Sequence, residues 1–308
     1  MSKSTAGAAL SHSPAGADPR QRLVGIGLMC AALLCFSCLD TSAKFVGHTV
    51  HPLMTVWWRY TASVALVALV INPSTTPGVL RTTRPWLQAI RSLLLFLSTA
   101  LNFIALRYLQ LAETMSIAFS TPLIVALVAG PLLGEWVGLR RLAAILIGLV
   151  GVLVITRPGL GTTHPAALLS VASAFSYAFY AIMTRLLASS DSARTTMVYS
   201  GLAGVLVMTP LLPWVWSAPA SPLIWTLLVG TGVFGAVGHW LLILAHARAP
   251  AAILSPFIYT QIIWMLALGY FVFGDWPDTL TLVGAAIVIA SGLYLITRER
   301  HRPARTKA

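Results

Sequence analysis

Arg59 stands about seven residues into an apolar run, ~11 Å deep at ~1.5 Å of helical rise per residue. A charge at the centre of a bilayer costs at least ~2.5–3.5 kcal/mol on insertion scales, so such a residue faces a cavity or a partner. Ser120, Tyr177 and Gln261 come out near mid-depth of their own apolar runs by the same measure, and the four form a candidate shell for a small polar solute. Asn102 lies deep enough to need a partner, and Trp264 can stack on a flat solute or fill a core. The plainer reading of Arg59 is a lock onto backbone carbonyls or a neighbouring acid. For Tyr177 and Gln261 it is a satisfied packing group.

A second set could move or gate charge. Asp40 and Lys44 are four apart, share a helix face and can pair. Glu113 opens a later run on the same side, which gathers two acids and one base at one mouth. Either acid could lose and regain a proton as a cavity changes sides. The bland alternatives are an Asp40–Lys44 salt bridge and a Glu113 that complements a helix dipole. Arg91, Leu95, Ser98 and Asn102 follow helical spacing along one face. Arg91 is near enough to a surface to snorkel, and His239 either titrates near neutrality or packs with its ring hydrogen-bonded.

Other chemistries lack their constellations. A membrane-embedded enzyme or sensor with a polar intramembrane site is the rival class, but an enzyme needs a convergent nucleophile and base. Here only Asp40, Glu113 and His239 are scattered along the chain. His48-x-x-His51 and Cys35-x-x-Cys38 have no further ligands, so neither a metal nor a cofactor is expected. Gly230-x-Gly232-x-x-Gly235 has the spelling of a dinucleotide fingerprint without the preceding strand or following acid. Small residues at that spacing instead permit close helix contact.

The elements that must position these residues are membrane spans. The chain is 57% hydrophobic and 9% charged with a mean hydropathy of +0.84. Its net charge of +12 sits in short clusters between apolar runs and in a basic tail, without a nucleic-acid-reading motif. Runs able to cross ~30 Å of hydrocarbon fall at about 22–45, 52–71, 86–106, 112–133 and 141–156, then 165–187, 195–214, 222–245, 251–273 and 279–297. Residues 1–21 read as a disordered tail and 299–308 as a basic one. With the N-terminus inside, the inner segments hold Lys3, Arg20, Arg22, Arg81, Arg84, Arg140, Arg141, Arg185, Arg194, Arg248 and five tail residues. The outer loops hold Arg107 and Arg157 alone, so both termini are expected in the cytoplasm.

One phrase is written twice. Gly134-Glu135-Trp136 leads to Ile155-Thr156-Arg157, and 140 positions after the triplet Gly274-Asp275-Trp276 leads to Ile296-Thr297-Arg298. A unit with an odd number of spans, duplicated, enters the second time from the opposite side. The expected fold is therefore all-α, ten transmembrane helices as two inverted five-helix repeats, 22–158 and 164–298, around a central cavity. Glu135 and Asp275, opening the loops after spans four and nine, are expected to cap the next helices.

The doubled Gly-(Glu/Asp)-Trp, with Asp40-x-x-x-Lys44, Trp58-Arg59-Tyr60, Ala105-Leu106-Arg107-Tyr108, Ala112-Glu113 and Ser120-Thr121-Pro122, resembles the drug/metabolite transporter superfamily and its paired EamA-type domains. The likeness covers nearly all of 22–298. It departs where Gln261-Ile262 replaces Thr121-Pro122, so identical kinks in the two halves are not expected. The resemblance implies a carrier, not an enzyme, of a small amino-acid-like, nucleoside-like or vitamin-like metabolite in the bacterial inner membrane. It implies a cavity lined by spans one, three, four, six, eight and nine, with solute and lipid as partners, in a monomer-sized unit with a dimer left open.

Overall fold

A computed structural model of the chain describes residues 19–133, 138–157, 164–187, 190–249 and 251–300. Glu135 and Trp136 of the first triplet lie outside the described residues. The helices are α1 (Pro19–Val46), α2 (Pro52–Val70), α3 (Pro85–Leu106), α4 (Leu111–Ala118), α5 (Thr121–Leu133) and α6 (Leu139–Thr156) in the first half. The second half holds α7 (Ala167–Leu187), α8 (Ala193–Val215), α9 (Pro222–Arg248), α10 (Ala251–Leu254), α11 (Gln261–Leu268) and α12 (Thr279–Arg300). Their starts are locally written. Pro52, Pro85 and Pro222 open α2, α3 and α9, where a missing N–H costs nothing. His51, Ser192 and Ser221 accept from the amides of Leu53, Thr195 and Ile224.

Among the described residues, eight helical segments are long and apolar enough to cross a membrane, and Leu142–Thr156 and Thr279–Tyr294 form shorter apolar stretches where the fifth and tenth spans are expected. Large apolar side chains such as Leu206, Ile263 and Phe271 are exposed on the outside of the bundle, which suits lipid. Trp86, Trp214 and Trp276 are exposed near helix ends, where interfacial tryptophans belong.

Lipid is as apolar as a leucine, so close packing has to hold the helices together. A Cβ on Gly232 of α9 would lie 2.5 Å from Ala62 Cβ and 2.8 Å from the Arg59 carbonyl oxygen. Only a hydrogen fits there, and α2 and α9 meet backbone to backbone. Gly151 of α6 and Gly284 of α12 do the same for their pair. The packed pairs map onto themselves when the halves are exchanged. Under that exchange, α1 on α9 becomes α7 on α3, and α2 on α9 becomes α8 on α3. The pairs α2 with α8 and α6 with α12 each join an element to its own counterpart.

The fourth and ninth runs are both interrupted, at matching register. α4 ends at Ala118, Phe119 and Ser120 form a turn, and α5 restarts at Thr121 with Pro122 in its first turn. In the second half Pro256 opens a 3₁₀ stretch, Ser255–Thr260, that gives way to α-helix at Gln261. The repeat spacing of 140 carries Thr121, where α5 restarts, onto Gln261, where α11 begins, so the joint recurs although the proline does not. Proline lacks an N–H and crowds the carbonyl four residues back; Pro122 disturbs the turn before it, and Pro256 starts the disturbance six residues earlier. A π-helical turn, Gly269–Phe273, ends the ninth run at Gly274, whose φ of 70° is left-handed.

Candidate functional site

A cavity of about 440 Å³ lies between the halves, walled by α2 and α3 of the first and α7, α8 and α9 of the second. Arg59, Tyr60, Arg91, Tyr180 and His239 are among its polar groups, and Val64, Leu95, Met197 and Leu242 are among its apolar ones. That size and mixture match small-molecule sites in general. The cavity reaches the end of the bundle that carries Ile71 and Asp191. Spans one, four and nine, implied by resemblance as walls, do not line it, and spans two and seven do. α1 is occupied elsewhere: its Met29 and Leu33 are buried with Leu254 and pack against Trp264.

Two arginines in the wall are held differently. Arg91 is 2% exposed. Its Nε donates to Thr184 Oγ1 at 2.7 Å, one terminal nitrogen to the Thr196 carbonyl at 3.2 Å and Ser200 Oγ at 3.0 Å, and the other to Tyr180 Oη at 3.0 Å. The guanidinium also lies over the Tyr180 ring, 4.7 Å from its centre. All of these partners are neutral. Arg59 donates one bond, 3.0 Å to Thr99 Oγ1, and lies 4.8 Å over the Tyr60 ring, while its buried Nε has no partner. Tyr60 is fixed in turn, its hydroxyl 2.9 Å from Thr99 Oγ1 and 3.2 Å from the Leu95 carbonyl.

The two ends of the bundle are tied across the halves by different means. At one end Lys44 Nζ meets Asp275 Oδ2 at 2.7 Å and donates to the Leu109 carbonyl at 2.8 Å, with the Phe273 ring 4.9 Å away. Nearby, Arg157 pairs with Asp278, the His51 amide donates to Ser217 Oγ, and Tyr108 stacks on His164. At the other end Asp191 accepts from Thr82 and from Gln88 Nε2, the latter at 2.7 Å. Burial works against its carboxylate, but bonds from Thr82, Gln88 and Thr83 outweigh that and hold its pKa below the ordinary value. Among the described residues no three His, Cys, Asp or Glu side chains gather as a metal would require.

Residues 23–157 and 164–298 each match the EamA-like transporter family, so two copies of one domain fill most of the chain. The chain belongs to that family. It is a multi-pass membrane transporter rather than an enzyme. An S-adenosylmethionine uptake transporter of Rickettsia conorii is 26% identical over 279 residues, 90% of this chain and 94% of that one. A riboflavin transporter of Vibrio cholerae is 28% identical over 297 residues, 83% of this chain and 97% of that one. A solved crystal structure shares the fold, with a TM-score of 0.61 at 19% identity, over 92% of this chain and 99% of that one.

Within this EamA transporter the residues singled out from sequence separate into three places. Arg59, Arg91 and His239 line the cavity, with Tyr177 beside it, its ring 5.2 Å from that of Tyr180. Ser120 and Gln261 are buried at the two helix joints, Ser120 donating to the Ile117 carbonyl at 2.7 Å. Trp264 packs against the α1 cluster and Asn102 donates to Asp40 Oδ1 at 3.2 Å, both away from the cavity wall. Lys44 and Glu113 sit at the opposite end, where Glu113 accepts from the Gln110 amide at 2.9 Å and closes a capping box.

Three expectations are corrected. Lys44 does not pair with Asp40: it turns to Asp275, 231 positions away, because that contact adds a carbonyl and a ring face. Arg91 does not snorkel, since α7 and α8 bring four oxygen acceptors to it inside the bundle. Asp275 does not cap the next helix; Asp278 does, accepting from the Thr281 amide at 2.8 Å, and Glu135 lies outside the described residues. His239 stands edge-on to Phe36, with ring centres 5.0 Å apart. Sequence reading passed over Tyr180, Thr184 and Ser200. The helical series Tyr177, Tyr180, Thr184 was the available signal, one polar face on a lipid-crossing helix.

Proposed function

We propose that the protein is a secondary transporter that carries a small polar metabolite across the bacterial inner membrane by alternating access. In this reading ten spans form two inverted five-helix repeats and both termini are cytoplasmic. The observation that carries it is the cavity itself, walled by elements of both halves, reaching one end of the bundle and tied off from the other by Lys44 and Asp275. The exchange symmetry of the packed helix pairs supports a two-fold relation between the halves, and an odd number of spans in each would turn that axis into the membrane plane. The excess of Lys and Arg in loops on the Asp191 side supports a cytoplasmic-facing cavity.

In the opposite state the Lys44–Asp275 pair parts, and the Asp191 end draws together over Thr82 and Gln88. Proton coupling, as part of the same proposal, falls on Asp40, whose carboxylate has Asn102 as a single hydrogen-bonding neighbour and lies within the field of Arg59. Glu113 is committed to its cap. The relatives' named solutes make S-adenosylmethionine and riboflavin the first to try.

Purified protein in liposomes should show counterflow of a labelled solute without covalent change. In a background with Cys30, Cys35 and Cys38 replaced by serine, Met197→Cys should react with an impermeant maleimide from the cytoplasmic side, and solute should lower that reactivity. Chemical conversion of the solute, or labelling from the outside alone, would overturn the assignment.

A further inference from the structure

Resting on the carrier reading, we infer that the cavity selects solutes with an anionic head, a carboxylate first of all, on an apolar body, and that Arg59 is the group that binds the head. The wall holds two permanent cations, Arg59 and Arg91, and among the described residues neither is within ion-pairing distance of an acid. Arg91 has spent four of its five N–H donors on neutral oxygens of α7 and α8. Its charge is fixed in place and acts on the cavity as a field. Arg59 is the available donor: one bond to Thr99, and a buried Nε with none.

Its surroundings keep it open. Arg59 lines the cavity, and Gly235, across from it on α9, carries no side chain to crowd it; a Cβ there would meet Leu39 Cδ1 at 3.2 Å and Arg59 Nε at 4.0 Å. Asp40 lies within the field of Arg59 without forming an ion pair with it, and its carboxylate is engaged by Asn102. Asp191, the acid at the mouth, is held by Thr82, Thr83 and Gln88. A partly buried cation with an unmet donor is relieved most by a charged acceptor. A carboxylate matches the planar fork of Arg in two parallel bonds, which an amide or an amine cannot do. Val64, Val67, Leu95, Leu242 and Ile243 offer apolar surface to whatever the head is attached to, beside the polar Tyr180 and His239.

The test is isothermal calorimetry on the full chain in nanodiscs with two matched triads. These are indole-3-acetate, indole-3-acetamide and tryptamine, and phenylacetate, phenylacetamide and phenethylamine. Each triad keeps one body and changes the head from negative to neutral to positive. The carboxylates should bind about tenfold to a hundredfold tighter than their amides, the range of one charge-assisted hydrogen-bonded contact. Arg59→Gln should erase that ratio and Arg59→Lys should keep part of it. Equal affinities within a triad, tighter binding of the amines, or no binding of either carboxylate would overturn the inference, and the wild-type comparison decides it even if a variant fails to fold. Counterflow in liposomes separates the two levels. Exchange of amines or amides as fast as carboxylates sinks the charge selection and leaves a carrier. Selective binding of carboxylates without any exchange sinks the carrier and leaves the selection.

Discussion

Lys44 and Arg59 are both cations carried into apolar surroundings, and the molecule treats them in opposite ways. Lys44, its side chain 9% exposed, is given an acid, a carbonyl and an aromatic face, all from outside its own helix. Arg59 is given one hydroxyl and a tyrosine ring, with Nε left over. A satisfied buried charge joins two parts of a fold; an unsatisfied one waits for something that is not part of the fold. Arg91 stands between them, with four of its five donors met but only by neutral oxygens.

The contrast breaks first at Lys44. Lys44→Met leaves Asp275 without its partner, and removing one side of a buried pair costs ~3–5 kcal/mol. Because the Asp275 side chain is 26% exposed, the loss should fall at or below the low end of that range. Thermal unfolding in detergent should show it, and Lys44→Met with Asp275→Leu should recover most of it. A double variant as unstable as the single would mean the pair does not hold the halves. Arg91→Met should cost less, on the order of 1–2 kcal/mol, because Thr184 and Ser200 keep their own bonds to the carbonyls of Tyr180 and Thr196. Arg59→Met should leave the melting temperature unchanged or raise it. A fall as large as that of Lys44→Met would make Arg59 a structural lock and erase the contrast.

The smallest effect concerns Asp278. The hydrogen bond from Arg157 lowers its pKa, against some burial and with help from Thr281, to about 2 from an ordinary 3.8. A depressed folded-state pKa means stability that is present above the unfolded value and lost as pH falls through the folded one. The stability advantage of wild type over Asp278→Asn should therefore be flat from neutrality to about pH 4 and shrink between there and about 2. The side chain is half exposed, so the advantage should also diminish with added salt. An advantage independent of pH would show that the charge plays no part.

Much of the architecture was legible because it is written in spacing. A doubled phrase counts out its own period, and residues 23–157 and 164–298 each match the EamA-like family. Arg59 was legible for an energetic reason: an isolated charge inside an apolar run has few places to go. The partners were not legible. Lys44 had an acid one turn away and took one 231 positions off, because local spacing reports which groups can meet on one helix and says nothing of what a second helix brings. Arg91 misled in the same way, since its acceptors are on α7 and α8. The recurring joint in the ninth run was hidden by a proline at a different offset.

That joint has a mechanical consequence. In a 3₁₀ helix each residue advances ~2.0 Å along the axis against ~1.5 Å in an α-helix. The six residues Ser255–Thr260 are therefore drawn out by about 3 Å, and a rewind into the wider coil would reel the Asp275 end toward the interior by that amount. The ninth run would thus work as a telescoping strut, changing length along its own axis.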